Sequence, residues 1–262
     1  MNGHSTSRPS ALLVVEALCK NFGGHQAVDH VSFELQAGSI GGLIGPNGAG
    51  KTTLFNCLTG FMQAASGKVL LDGVSIGGRS SSAVFAAGLA RTFQIPRPFP
   101  EMTVLENVMV APRGQLGERF WSNWLQPRAV AEQERQTMAA ARHWLDFVGL
   151  SSLEGQPARI LSGGQRKLLE LARVMVSAPK IVLLDEPGAG VNPALLDQIV
   201  DKVHALNAQG TTFLIIEHNM DLVASLCSPV MVMAQGQLLM TGSADTVLSD
   251  PRVVEAYLGG PV

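Results

Sequence analysis

A mixed α/β fold is what the sequence predicts, and three observations carry that reading. Short apolar runs and helical patterns alternate through most of the chain. One such run, "SIGGLIG", passes through a Gly-rich turn into the helical pattern "KTTLFNCLTG". Between about Thr103 and Leu150 the pattern is helical only, and apolar strand-like runs return at Ile181. The layout is a β-rich core interrupted by a helical insertion.

The elements follow in order. "ALLVVEAL" and "VDHVSFEL" alternate as half-buried strands do. "GKVLLDG" is a short strand between turn residues, and "SSAVFAAG" a short helix with a Ser start. The stretch "RTFQIPRPFPEMTVLENV" carries prolines 96, 98 and 100, which bar a regular helix or a central strand there. A helix then starts at Thr103, with Glu106 at capping-box spacing. "AVAEQERQTMAAARHWLDFVG" is a long helix ending at Gly149, and Trp121 and Trp124 before it read as local packing. "IVLLD", "TTFLIIE", "VMVMA" and "QLLMTG" are the later strands.

Composition narrows the class. The 262 residues suffice for one large α/β domain or two small ones. Basic and acidic residues number 19 and 21, which excludes a general attraction to nucleic acid or an anionic membrane. No segment approaches the roughly 20 continuous apolar residues of a membrane span. The apolar run from Ala11 to Val15 is followed at once by Glu16, a strand rather than a signal peptide. Cys19, Cys57 and Cys227 are far apart and lack metal spacing, as expected of buried, reduced thiols in a cytosolic protein.

The chemistry begins with "GPNGAGKTT". Gly45, Pro46, Asn47, Gly48, Ala49, Gly50, Lys51, Thr52 and Thr53 match the phosphate-binding pattern G-x-x-x-x-G-K-[ST], after a strand and before a helix. Backbone N–H groups there can wrap a polyphosphate, and the helix N-terminus adds partial positive charge. Lys51 would contact the β- and γ-phosphates, and Thr52 would place its hydroxyl on Mg²⁺. "IVLLDEP" is a buried strand that delivers carboxylates at its end. Asp185 fits the metal role, and Glu186 is left to polarise an attacking water. A strand ending in two acids is on its own a solvated strand end; the phosphate loop changes its meaning.

"LSGGQ" opens a helix with Ser162 as N-cap, and two glycines, Gly163 and Gly164, expose N–H groups before Gln165. The helix after it buries Leu168, Leu171, Ala172 and Met175 on one face. This is a second anion-binding helix start on one chain, which two facing copies would use across an interface. "FLIIEHNM" is another buried strand, and His218 at its end shares the sheet edge of the phosphate loop.

Together these residues resemble the ATPase subunit of an ATP-binding cassette (ABC) transporter, from about Leu12 to Leu258. The resemblance implies a phosphate-loop NTPase fold of the ABC type: a mixed-sheet core, an antiparallel β subdomain and a helical subdomain. One domain would span residues 1–262, with 11–94 and 160–242 as core, 95–159 helical and 243–262 a C-terminal helical tail. It implies ATP and Mg²⁺ as cofactors. Phe22 would stack on adenine, and Gln94 would link the γ-phosphate and Mg²⁺ to the membrane partner. Ser162, Gly163 and Gly164 would contact the γ-phosphate held by the opposite subunit. Glu186 would be the catalytic base and His218 the residue holding water and γ-phosphate. Asn192 stands where many members have Asp, which puts communication between two ATP sites through that carboxylate in question.

"GLARTFQ", "EMTVLENV", "AGVNP", "IEHNMDLV" and "VVEAYLGG" resemble one branch, the ATPases of branched-chain amino acid importers, with urea or amide importers near it. That implies a peripheral subunit on the cytoplasmic face of the inner membrane. Its partners would be integral permease subunits docking near residues 94–102, a second cassette (identical or a sister), and indirectly a solute-binding protein. No nucleic acid is expected. The ATPase of lipopolysaccharide export is similar, but its segment at "RTFQ" is expected to read differently. A soluble switch on ribosomes or in DNA repair would bring tandem cassettes, a coiled-coil insertion or a basic surface. Residues 95–100, after Gln94, would be a stiffened joint between the core and the helical insertion, with Phe93 core and Phe99 and Met102 lining the partner groove.

Overall fold

The computed structural model describes residues 11–92, 97–112, 114 and 127–258. Phe93, Gln94, Trp121 and Trp124 lie outside the described residues. The chain forms two compact units. One holds the described residues up to Arg91, together with Lys180–Gly188 and those from Val203 on; the other holds Thr92–Pro179 and Ala189–Lys202.

The first unit contains two sheets. β1 (Ala11–Phe22) and β2 (His25–Gln36) form a long antiparallel pair. β3 (Ile40–Ile44) leaves for the second sheet, and β4 (Ser66–Leu71) and β5 (Val74–Ser75) complete the first, in the order β2-β1-β4-β5. The second sheet adds β6 (Leu89–Arg91), β7 (Ile181–Asp185), β8 (Thr212–Ile216), β9 (Val230–Ala234) and β10 (Gln237–Gly242). Its order is β10-β9-β3-β8-β7-β6, parallel throughout except for the edge hairpin β9/β10. The expected mixed sheet and separate antiparallel sheet are both present.

Why some strands alternate and others do not follows from what covers them. β3, β7, β8 and β9 are buried at every position, as parallel strands covered on both faces must be. β2 alternates between buried and exposed residues along Val31–Leu35 because it has one dry face. Helix α1 (Lys51–Leu58) starts directly after the Gly-rich loop and drives Leu54, Phe55 and Leu58 into a core shared with Leu13, Val28, Leu43 and Met231. Each such side chain contributes roughly 1.5–3 kcal/mol by leaving water. α2 (Ser81–Ala87) is capped by Ser80 as the sequence predicts. The unit ends in α7 (Met220–Leu226), α8 (Ala244–Leu248) and α9 (Pro251–Leu258). All three cysteines are buried and free, and burial pushes the Cys227 thiol up to about 12.

The second unit is helical. It holds α3 (Val104–Met109), α4 (Pro127–Phe147) and α5 (Gly163–Met175), with two 3₁₀ turns at Ser151–Leu153 and Ala158–Ile160. α6 (Pro193–Ala208) begins with residues of this unit. The capping box at α3 is formed: Glu106 N–H donates to Thr103 Oγ1 at 3.1 Å, and Thr103 N–H donates back to Glu106 Oε2 at 2.7 Å.

The Pro-rich loop before α3 is held in a way its composition explains. Prolines supply carbonyls but no N–H, so the loop is rich in acceptors. Backbone N–H groups of Ala158 and Arg159 donate to Met102 O and Pro100 O. Asn107, wholly buried, meets most of the rest. Its amide donates to Phe99 O at 3.0 Å and Thr103 O at 2.9 Å, and its Oδ1 accepts from Phe99 N–H at 2.8 Å. Asn107→Ala should therefore lower the unfolding free energy by about 2 kcal/mol, measured by urea denaturation, because buried partners are left unsatisfied. Asn107→Asp should cost more, since a carboxylate would face those carbonyls.

Candidate active site

The site grows from one row of the parallel sheet. Leu43 on β3 and Asp185 on β7 are both register partners of Ile216 on β8. The residues that follow each of these therefore emerge level at one edge. They are the Gly-rich loop, Glu186, and the pair Glu217 and His218.

Gly45 leaves β3 with φ +149°, and a Cβ there would stand 2.1 Å from Met233 O. Gly50 precedes α1 with φ +98°, and its Cβ would stand 2.2 Å from Ala27 O. Only glycine fits either place. The loop is thus pressed against the sheet beside a cavity of about 360 Å³. Phe22, His25, Asn47, Gly48, Lys51, Thr52 and Thr53 line that cavity together with Glu186 and His218. Phe22 keeps 48 % of its surface exposed, with Lys20 Nζ 5.3 Å from the centre of its ring.

Lys51 is buried, and its ammonium donates to Gly45 O at 2.7 Å and Pro46 O at 2.9 Å. Burial lowers its pKa below the ordinary lysine value, against the opposing pull of Glu186 and Asp185. A polyphosphate in the cavity would relieve that desolvation by supplying anionic oxygen.

Glu186 sits at the end of β7 with φ +49°, a left-handed conformation that a non-glycine residue adopts at a cost. Its N–H donates to Ile216 O at 2.9 Å, which carries the ladder one residue past the strand. Its carboxylate meets His218 Nε2 at 3.0 Å. The two residues singled out from distant parts of the sequence are therefore a hydrogen-bonded pair, with the imidazole donating to the carboxylate. This is the arrangement of a base and the group that orients it.

Two further residues shape the edge. Asp185 is paired with Arg91 at 2.6 Å, with 7 % and 6 % of their side chains exposed. Arg91 also donates to Asn56 Oδ1 on α1 at 2.6 Å and lies 5.7 Å from the centre of the Phe55 ring. Glu217 is buried, and its carboxylate accepts backbone N–H groups of Gly188 at 2.8 Å, His218 at 2.9 Å and Asn219 at 3.3 Å. It pins the loop after Glu186 to the loop that carries His218. Sequence reasoning missed both roles. The signals were the Arg closing the apolar "GLAR" and the acid of "IIEH"; neither names a partner.

The "LSGGQ" residues lie in the helical unit. Ser162 Oγ accepts from Gln165 N–H at 3.3 Å, and Gln165 Oε1 accepts from Ser162 N–H at 2.9 Å, a complete capping box. Ser162 and Gly163 are exposed, whereas Gly164 is buried and a Cβ there would collide with Leu195. Leu168, Leu171, Ala172 and Met175 are buried as expected. Asn192 caps α6: its Oδ1 accepts from Leu195 N–H at 2.9 Å, ahead of Pro193 in the first helical position. β6 ends at Arg91, and Gln94 lies outside the described residues.

A strand, a Gly-rich loop with its Lys at a helix start, and a carboxylate-ended strand two places away in the same sheet define a phosphate-loop nucleoside triphosphatase fold. Comparison with known proteins narrows the class. The family model "ABC transporter" matches residues 28–189, and "Branched-chain amino acid ATP-binding cassette transporter" matches residues 237–262. The chain belongs to the ATP-binding cassette transporter family, as an ATPase coupled to transport. It is 41% identical over 254 residues to a high-affinity branched-chain amino acid transport ATP-binding protein of Pseudomonas aeruginosa, covering 97% of this chain and 99% of that one. The corresponding protein of Escherichia coli K12 is 40% identical over 249 residues, covering 95% and 98%. Among solved structures, a nucleotide-free ATP-binding cassette from an ABC transporter superposes with TM-score 0.83 at 38% identity, covering 95% and 99%.

Arg91→Ala removes one member of a buried pair and should lower the unfolding free energy by about 3–5 kcal/mol in chemical denaturation. A loss below about 1 kcal/mol, the range of exposed pairs, would show that Asp185 does not depend on it.

Proposed function

We propose that this chain is the ATP-hydrolysing subunit of an importer for branched-chain or related amino acids, and that it powers separate membrane subunits. The observation that carries the chemistry is the Glu186–His218 pair, 3.0 Å apart and facing the same cavity as the Lys51 loop. The solute class rests on the C-terminal family match and on the relatives above.

ATP would lie with its adenine on Phe22 and its phosphates along the amides of Gly48, Gly50, Lys51 and Thr52. Lys51 would turn from the carbonyls of Gly45 and Pro46 to the β- and γ-phosphates. Thr52 and Asp185 offer hard oxygen donors of the kind Mg²⁺ takes, with Gln94 a third in residues outside those described. Mg²⁺ held there neutralises phosphate charge. Glu186 would accept the proton of the attacking water, and His218 would hold that water against the γ-phosphate. The exposed Ser162 and Gly163 suit contact with a nucleotide on a second cassette.

The membrane subunits would dock on residues 94–102. Phe99 favours this: half its surface is exposed, and Arg173 lies 5.4 Å from the centre of its ring. No described helix is long and apolar enough to cross a membrane, which suits a peripheral subunit on the cytoplasmic face. Recovery of permease subunits with the purified chain tests the reading, and their solute-binding protein identifies the solute.

Glu186→Gln should abolish turnover, leave ATP binding and trap a dimer; normal turnover in that variant would remove Glu186 from the reaction. Phe99→Glu should uncouple transport in reconstituted vesicles while basal ATP hydrolysis survives, and intact transport would reject the docking role.

A further inference from the structure

Gly45 is the first residue of the loop beyond the ladders, whose last pairs are Leu43 with Ile216 and Ile44 with Val232. It is buried, so its N–H and its C=O both need partners. The C=O accepts from Lys51. The N–H donates to Tyr257 Oη at 2.8 Å, across 212 residues of sequence. Tyr257 belongs to α9, the last helix described.

α9 is seated without that hydroxyl. Val253 and Ala256 are buried. The first turn is closed by Asp250, whose carboxylate accepts Arg252 N–H at 2.8 Å and whose carbonyl accepts the N–H groups of Val253 and Val254. α9 packs on α8, and α8 packs on β9 and β10. Gly45 presses against β9 through Met233. The tail is therefore a support for the strand–loop junction, and the phenol is the group that reaches it. Burial raises the phenol's pKa, so it is neutral at physiological pH.

We propose that Tyr257 is a positioning residue of the phosphate loop: by holding the Gly45 amide, it lets the C-terminal helix set the geometry in which nucleotide is received. The reason lies in what nucleotide does to Lys51. Once its ammonium turns to the phosphates, Gly45 O and Pro46 O lose their side-chain donor. The Tyr257 bond then remains as the side-chain tie on the Gly45 backbone among the described residues. This rests on the phosphate-loop reading of residues 45–53.

The test uses the full chain. Tyr257→Phe keeps the ring and removes the hydroxyl. The KM for ATP should rise about fivefold, the worth of one net hydrogen bond, with kcat within about twofold. A merely structural tyrosine would lower kcat through the active fraction and leave KM alone; that result, or an unchanged KM with normal kcat, overturns the inference. Leu258→Ala, on the same helix and 82 % exposed, should keep the wild-type KM. In the unaltered chain the Gly45 amide should exchange with solvent as slowly as those of β3, and fast exchange there overturns the tie without any variant. Lys51→Ala separates the two levels. If it keeps ATP affinity, the phosphate-loop reading fails and the inference with it. If it loses affinity while Tyr257→Phe keeps a normal KM, only the inference fails.

Discussion

The parallel register of three strands is the constraint on which the site depends. Leu43, Ile216 and Asp185 stand in one row. A slip of one residue in any of those strands would turn its side chains to the other face and move its terminal loop out of line. All three strands are buried at every position, so register is not set by an apolar and a polar face, as it is in β2. It is set where the strands stop. Glu186 N–H on Ile216 O extends the ladder, and Glu217 locks the two following loops to one another. The left-handed backbone of Glu186 is the local cost of ending a strand while aiming a carboxylate at His218.

Two buried carboxylates lie side by side at this edge and are stabilised differently. Asp185 is neutralised by a cation, Arg91, and Glu217 by three backbone N–H groups. The difference suits their roles. A carboxylate bound by amides of two loops is a fastener and has no reason to change partner. One bound by a single guanidinium can exchange a charge for a charge. Arg91 also grips Asn56 on α1, and it ends the strand that runs toward residues 94–102. The helix behind the Gly-rich loop and the Asp185 carboxylate are thereby both tied to the end of β6.

The Pro-rich segment obeys the same accounting of polar groups. Its prolines make it stiff and poor in donors, so its carbonyls must be met from elsewhere. Asn107 and the turn at Ala158 meet them, which holds Phe99 at the surface with Arg173 beside its ring. Stiffness in the chain and a fixed amide beneath it together hold an apolar side chain half-exposed at the surface.

What could be read directly was local. The caps of α2, α3 and α5 lie within three residues of the N–H groups that donate to them, and "GPNGAGKTT" is continuous. Unbroken apolar runs announced the strands buried on both faces. Asp185, Glu186 and His218 were found because each ends such a run. Asn107, Arg91, Glu217 and Tyr257 were not assigned their roles, since an Asn in a helix or a Tyr in a tail has no periodicity that names its partner. The amino-acid sequence by itself determined the elements, their caps and the chemical type of the site, because these depend on neighbours a few residues apart. Only the tertiary structure decided which groups satisfy the buried charges and the unpaired amides at the strand ends. The bonds from Glu217 to Gly188, from Arg91 to Asp185 and from Gly45 to Tyr257 span 29, 94 and 212 positions, and strand register together with the seating of the last helix brings those partners within reach.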